Sequence, residues 1–282
     1  MRQFVSLATG IALALSLAAC QQGLSDDQVK AAIDNASRIE QDNLNELMLT
    51  VADPNEGVVY FQNAVKGAPE DPVLQRYFAR ALLRAGRSDE AVKILTGLVA
   101  APTVTDADRL ALADAQIRAG DWKDAEATLN AIPPTVETYD RYRLEALVAD
   151  SKKQWKKADS FYEVAAGLTS QPANVYNNWG FSKLQRGDPK GAEKLFREAL
   201  SYDPTLFTAK NNLVLARAAQ HNYDLPVVDM TQQERAQLLY TAGLAAIKQG
   251  DIAIGKQLLQ QAVETSPTYF EAAARSLAAL GG

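Results

Sequence analysis

Two periods run through the apolar residues of this chain, a short one nested in a long one. The short one is helical, because no strand-like alternation is long enough to compete with it. The long one emerges when the chain is laid out in blocks starting at Arg38, Pro72, Asp106, Tyr139 and Ala173, at spacings of 34, 34, 33 and 34 residues. In that register position twenty reads Gly57, Ala91, Ala125, Ala158, Ala192, and position twenty-four reads Phe61, Leu95, Leu129, Tyr162, Phe196. Position eight is small in the last four blocks: Ala79, Ala113, Ala146 and Gly180. Small residues at eight and twenty let two helices approach closely, and the large residue at twenty-four fills the gap to the neighbouring helices. Gly86, Gly120 and Gly187 fall where the first helix of a pair must end in a left-handed residue. Asp71-Pro72, Gln171-Pro172 and Asp203-Pro204 punctuate the passage between blocks. The pattern predicts an all-α chain.

In the block from Ala173, Trp179 stands at seven, Gly180 at eight, Gly187 at fifteen, Ala192 at twenty, Phe196 at twenty-four, Ala199 at twenty-seven and Pro204 at thirty-two. These residues resemble the tetratricopeptide (TPR) signature. The resemblance implies an α-solenoid, a superhelical stack of antiparallel helix pairs. The array is expected over residues 25–220, with repeat starts near 38, 72, 106, 139, 173 and 207. The motif Ser25-Asp26-Asp27-Gln28 is a capping-box signature for a helix running towards Thr50. Phase is lost once. Residues 205–220 supply a first helix, but "HNYDLPVVDM", residues 221–230, carries Pro226 and β-branched residues where the second should begin. It is expected to be an extended connector packed on the stack through Leu225, Val227 and Val228. Residues 231–282 resume with a final pair, carrying Gly243, Gly250, Gly255, Leu259, Ala262 and Pro267 in register, and a capping helix near 268–280.

Four asparagines interrupt the helical pattern as adjacent pairs. Asn177 and Asn178 occupy positions five and six of one repeat, and Asn211 and Asn212 the same positions of the next. The family resemblance implies that first helices line a concave groove and that these positions face it. A carboxamide offers donors and an acceptor together, so one such residue per repeat would grip the backbone of an extended peptide. The competing reading is that the amides cap turns or bond to neighbouring helices. Arg76, Arg80 and Arg84, spaced by four and hence on one helical face, would receive an acidic segment or a C-terminal carboxylate. Against that stands a solvated stripe paired with Glu70 and Asp71. Tyr77, Phe78, Tyr142, Tyr176 and Trp179 read as core.

Charge and composition narrow the function. The net charge of −5, from 29 basic and 34 acidic residues, argues against nucleic acid and against a polybasic grip on lipid. The single histidine, His221, leaves no His-based zinc site and no metalloprotease motif. "GDPKGAEK" lacks phosphate-loop spacing, and the carboxylates scatter along helix faces. The chain is therefore expected to be no enzyme and to need no cofactor or metal.

The N-terminus carries Arg2, an apolar run over residues 4–17, and then Leu17-Ala18-Ala19-Cys20. This resembles the lipobox of bacterial lipoproteins. It implies removal of residues 1–19 as a signal peptide, lipidation of Cys20, and a tether over residues 20–24. Gln21 in place of aspartate implies sorting to the periplasmic face of the outer membrane, with lipid as the only membrane contact. Residues 21–24 would hold the body within roughly 15–18 Å of the bilayer.

Across nearly the whole chain, including "VADPNEGVVYFQNAV", "NNWGFSKLQRGD" and "LPVVDMTQQERAQLL", the sequence resembles the TPR lipoproteins of Tad-type (Flp) pilus assembly, the TadD group. That resemblance implies a scaffold without chemistry of its own, assisting assembly of a secretin or other pilus component. An adaptor for peptidoglycan-remodelling enzymes or outer-membrane assembly factors is the alternative, and a degenerate sugar-cleaving enzyme a more distant one.

Overall fold

The structure, a computed structural model, describes residues 41–281, and every described secondary-structure element is a helix. The signal segment, Cys20, the tether, the capping box at Ser25 and the start at Arg38 lie outside those residues. The chain divides into two compact units, Met1–Ile94 and Leu95–Gly282.

In the first unit, α1 covers residues 41–50 and α2 runs Pro54–Gly67, opened by Asp53, whose carboxylate accepts from the Asn55 amide. Next, α3 spans Pro72–Arg84. Asp71 caps it by accepting from the amides of Val73 and Leu74, and Pro72 supplies a preset φ at the first position. The division between the units falls within α4, Ser88–Ala100.

The second unit continues with α5 (Asp106–Ala119), α6 (Trp122–Asn130), α7 (Tyr139–Ser151), α8 (Trp155–Gly167), α9 (Ala173–Gln185), α10 (Pro189–Tyr202) and α11 (Phe207–Ala218). After the connector come α12 (Gln232–Lys248), α13 (Ile252–Thr265) and α14 (Glu271–Gly281). The first helices α3, α5, α7 and α9 begin at the residues from which the sequence blocks were counted. Capping chemistry explains part of that agreement. Thr105 and Asp108 form a reciprocal capping box at α5, Thr138 caps α7, and Asp188 accepts from the Gly191 amide at α10. A Cβ on Gly191 would lie 2.2 Å from the Asp188 carboxylate, so only glycine leaves room for that cap.

The core follows the repeat. Ala113, Ala125, Ala146, Ala158 and Ala192 are fully buried, and so are Tyr162 and Phe196. One cluster joins Ala113 and Ile117 of α5, Ala125 and Leu129 of α6, and Leu144 and Val148 of α7. The next joins Ala146 and Ala149 of α7, Ala158, Tyr162 and Ala165 of α8, and Val175 of α9. Each of these pairs thus buries its apolar face only with the first helix of the following pair, which is why the repeats of the second unit stack. The helices of a pair approach closely: a Cβ on Gly180 of α9 would meet the Phe196 ring at 2.7 Å, and one on Gly255 of α13 would meet Ile247 at 2.5 Å.

Position fifteen is left-handed in every repeat of the second unit, and Gly86 holds it in the first. Gly86, Gly120, Gly187 and Gly250 have φ of 73°, 89°, 80° and 90°. Lys153 and His221 stand at the same register position with φ of 57°, where an L side chain is disfavoured.

No helix lies between α11 and α12. The connector packs through Leu225, which joins the clusters of Val214, Leu238 and Ala242 and of Leu239, Ala262 and Ala273, while Val228 packs beside Leu213. Val227 corrects the sequence expectation: it is fully exposed, because it follows Pro226 on the outward side of the bend. Tyr223, buried against Ala218 and Ala246, anchors the near end. Its hydroxyl donates to Asp251, which also bonds His221 Nδ1 at 2.9 Å. Finally, Ala273 of α14 and Phe270 just before it pack onto Leu239 and Ala262.

Candidate functional site

The arginines of α3 brace a neighbouring helix. Arg80 forks onto Glu46 at 2.9 and 3.5 Å and lies 5.7 Å over the Tyr77 ring. Arg84 donates to the carbonyls of Ala52 at 2.6 Å and Thr50 at 3.3 Å, satisfying the end of α1. Arg80 thus finds its carboxylate one repeat back, rather than at Glu70 or Asp71, and Asp71 is the N-cap of its own helix. Arg76 is half-buried on the same face.

The asparagines divide into two kinds. Asn177 and Asn212 are both 7 % exposed, and Asn212 Nδ2 donates to Asn177 Oδ1 at 3.0 Å. A peptide in a groove therefore cannot reach Asn177 or Asn212, which corrects the four-residue ladder. Asn211 accepts from Thr241 Oγ1 of α12 at 2.8 Å. The direction differs by position among these asparagines: Asn177 and Asn211, at position five, face the following first helix, and Asn212, at position six, the preceding one. Asn178, at position six of α9, looks back towards α7, whose position five is Arg143 rather than an amide. Arg143 instead bonds Asp114 at 3.0 Å, and Asn178 is left as the open end of the series.

Asn178 faces a cavity of about 780 Å³. Leu147, Asp150 and Ser151 of α7 and Phe181 and Gln185 of α9 form its first-helix wall, and Trp122, Lys123 and Glu126 of α6 the opposite one. In the repeat register the α7 and α9 residues stand at positions nine, twelve and thirteen and at six, nine and thirteen. The same ruler that singled out the asparagines contains these positions, so this wall was within reach of the sequence. Phe181 is 44 % exposed and Trp122 39 %, unusual for aromatics of this size in a helical stack.

The floor is a closed polar network. Asp150 accepts from Ser182 Oγ at 2.7 Å and from Tyr162 at 2.8 Å. Burial pushes the Asp150 carboxyl up, against the pull of those two hydrogen bonds. Burial and the Asp150 charge likewise drive the Tyr162 hydroxyl far above its ordinary value. Deeper in the same repeat, Trp179 and Arg186 both donate to Asp159, and Lys183 reaches it at 3.3 Å. Burial alone would raise Asp159, but these donors outweigh it and hold the carboxyl below the usual range. Trp179 is thus structural, stacked 6.1 Å from Tyr162. Among the described residues no group of three or more His, Cys, Asp or Glu side chains is arranged to hold a metal ion.

The family model for the tetratricopeptide repeat matches residues 50–107. No curated protein matches the chain. Solved structures share the fold at low identity. A thermophilic TPR protein of Thermus thermophilus is 18 % identical with a TM-score of 0.54, over 62 % of this chain and 95 % of that one. A tetratricopeptide repeat protein from Parabacteroides merdae is 13 % identical with a TM-score of 0.55, over 88 % and 100 %. The Cut9–Hcn1 hetero-tetramer of the APC/C gives 14 % and 0.58, over 84 % of this chain and 48 % of that chain. The register of small and large residues, the helix pairs that it builds and these likenesses give the chain the all-α fold of tetratricopeptide-repeat proteins, with the family model itself matching only residues 50–107.

Proposed function

We propose that the chain is a non-enzymatic scaffold that holds an extended polypeptide in the cavity between α6, α7 and α9. One observation carries this reading: a carboxamide without a hydrogen-bond partner among the described residues, Asn178, stands beside exposed Phe181 and Trp122 in a space large enough for a side chain and its backbone. Asn178 supplies backbone recognition, and the aromatics supply apolar contact.

At the scale of the cell, the reading is a lipoprotein anchored through Cys20 at the periplasmic face of the outer membrane, assisting assembly of a Tad/Flp-type pilus or its secretin. The lipobox-like N-terminus and the likeness to that group support it. Among the described residues no helix is long and apolar enough to cross a membrane.

A photo-crosslinking amino acid at position 178, activated in intact envelopes and followed by mass spectrometry, tests both levels. Capture of pilus secretin components is expected, and Asn178→Ala together with Phe181→Ala should reduce binding of the captured partner by at least about tenfold, as for loss of a buried contact pair. Capture of cell-wall enzymes alone would replace the pilus role with the adaptor role. No crosslink above background at 178 would remove the cavity from the binding surface.

A further inference from the structure

The segment "SKKQWKK", residues 151–157, holds four lysines and no acid in a chain whose net charge is −5. It forms the turn between α7 and α8, and all four lysines are exposed. Lys152 lines the cavity, and Lys123 joins it from the opposite wall. Lys152 is paired with Glu126 at 2.6 Å, and Lys157 lies 5.4 Å over the Phe161 ring. Lys123, Lys153 and Lys156 make no ion pair among the described residues.

Two features of the fold work against lysine here, one steric and one electrostatic. Position fifteen is glycine in four repeats, yet Lys153 takes the left-handed conformation in this one. Lys156 and Lys157 sit in the first turn of α8, which has no acidic residue and no side-chain cap, so they oppose the helix dipole. Lysines thus stand where the backbone disfavours any side chain with a Cβ and the dipole disfavours positive charge, on the turn that continues from cavity-lining Lys152.

We infer that the occupant of the cavity is a segment with one large apolar side chain flanked by acidic residues. The apolar group enters among Trp122, Leu147 and Phe181, and the acidic flank lies along Lys153 and Lys156. This deepens the docking function proposed above and rests on it. A lipid surface is the weaker reading, because Lys152 and Lys123 edge a recess with aromatic walls that a flat bilayer does not enter.

The test uses the purified full chain and three fluorescein-labelled nine-residue peptides, each with a central Phe, flanked by Glu and Asp, by Ser, or by Lys. Vesicles of phosphatidylglycerol and phosphatidylcholine form a fourth arm. The acidic peptide should bind at least about fivefold more tightly than the serine peptide, with the gap closing as salt rises. Lys153→Glu with Lys156→Glu should reverse that preference. Lys153→Gly should raise the melting temperature while weakening the acidic peptide, a combination that a structural role for the lysine does not produce. If the peptides bind through Phe181, as shown by loss with Phe181→Ser, yet ignore flank charge, the acidic-partner inference fails and the docking cavity survives. If no peptide binds, or Phe181→Ser changes nothing, both fail. Lysine-dependent binding to the anionic vesicles without peptide selectivity would overturn the inference in favour of a membrane surface.

Discussion

Single side chains set the tolerances of this protein. Ala192 has no exposed surface and packs with Phe196 and Leu213, and a Cβ at Gly180 would already press on the Phe196 ring. Ala192→Leu and Gly180→Ala should each destabilise the protein by about 1–3 kcal/mol through overpacking, read as a lower denaturant midpoint with unchanged slope. Neutral behaviour of both would mean that the repeat register is misplaced. These positions were legible from sequence because a small residue recurring every repeat has one physical reason, helix proximity. The asparagines were legible only in part. Adjacent residues on a helix point about 100° apart, so periodicity puts both on the inner side without saying that one faces forward and the other back. The bond between Asn177 and Asn212 needs the relative placement of α9 and α11, which no single repeat contains. Lys153 and His221 could have been found by reading position fifteen down every block; both break the glycine pattern there.

At the scale of elements, the departures from periodicity are the informative places. The connector replaces a second helix because Pro226 and its neighbours cannot continue one, and it is tied down by the hydrogen bonds among Tyr223, His221 and Asp251 together with the packing of Leu225 and Tyr223 on the helices. Hydrogen bonds from Tyr223 and His221 hold the Asp251 carboxyl below its ordinary range. Burial and the Asp251 bond push the Tyr223 hydroxyl up to about 12. Since the folded Asp251 binds its proton less readily than the unfolded one, its contribution is complete above the unfolded value near ~3.9 and is lost as pH falls through the lower folded value. Amide protection factors in residues 219–230, taken relative to intrinsic exchange at each pH, should therefore fall on acidification across that window, and Asp251→Asn should flatten the response. An unchanged pH profile in the variant would assign the connector's order to Leu225 and Tyr223 packing alone. The α3 arginines belong to this scale as well: they fasten α1, a use that spacing by four could not distinguish from an open cationic face.

For the whole molecule, composition decided less than repetition. A charge of −5 argues against nucleic acid but conceals the lysine turn, which is basic only locally. Anchorage is the property to test at this scale. Cys20→Ala should abolish fatty-acid labelling and release the protein from membranes into the soluble fraction. Continued labelling would overturn the lipoprotein reading while leaving the cavity untouched. Among the described residues, the side-chain hydrogen bond spanning the most sequence is Asn212 to Asn177, separated by 35. Among the described residues no side-chain hydrogen bond thus waits for a distant stretch of chain: a polypeptide emerging from the ribosome or an export channel needs only the next repeat to arrive before the last one is sealed. Vectorial delivery and final architecture share one direction, so each newly delivered helix finds its seat already built.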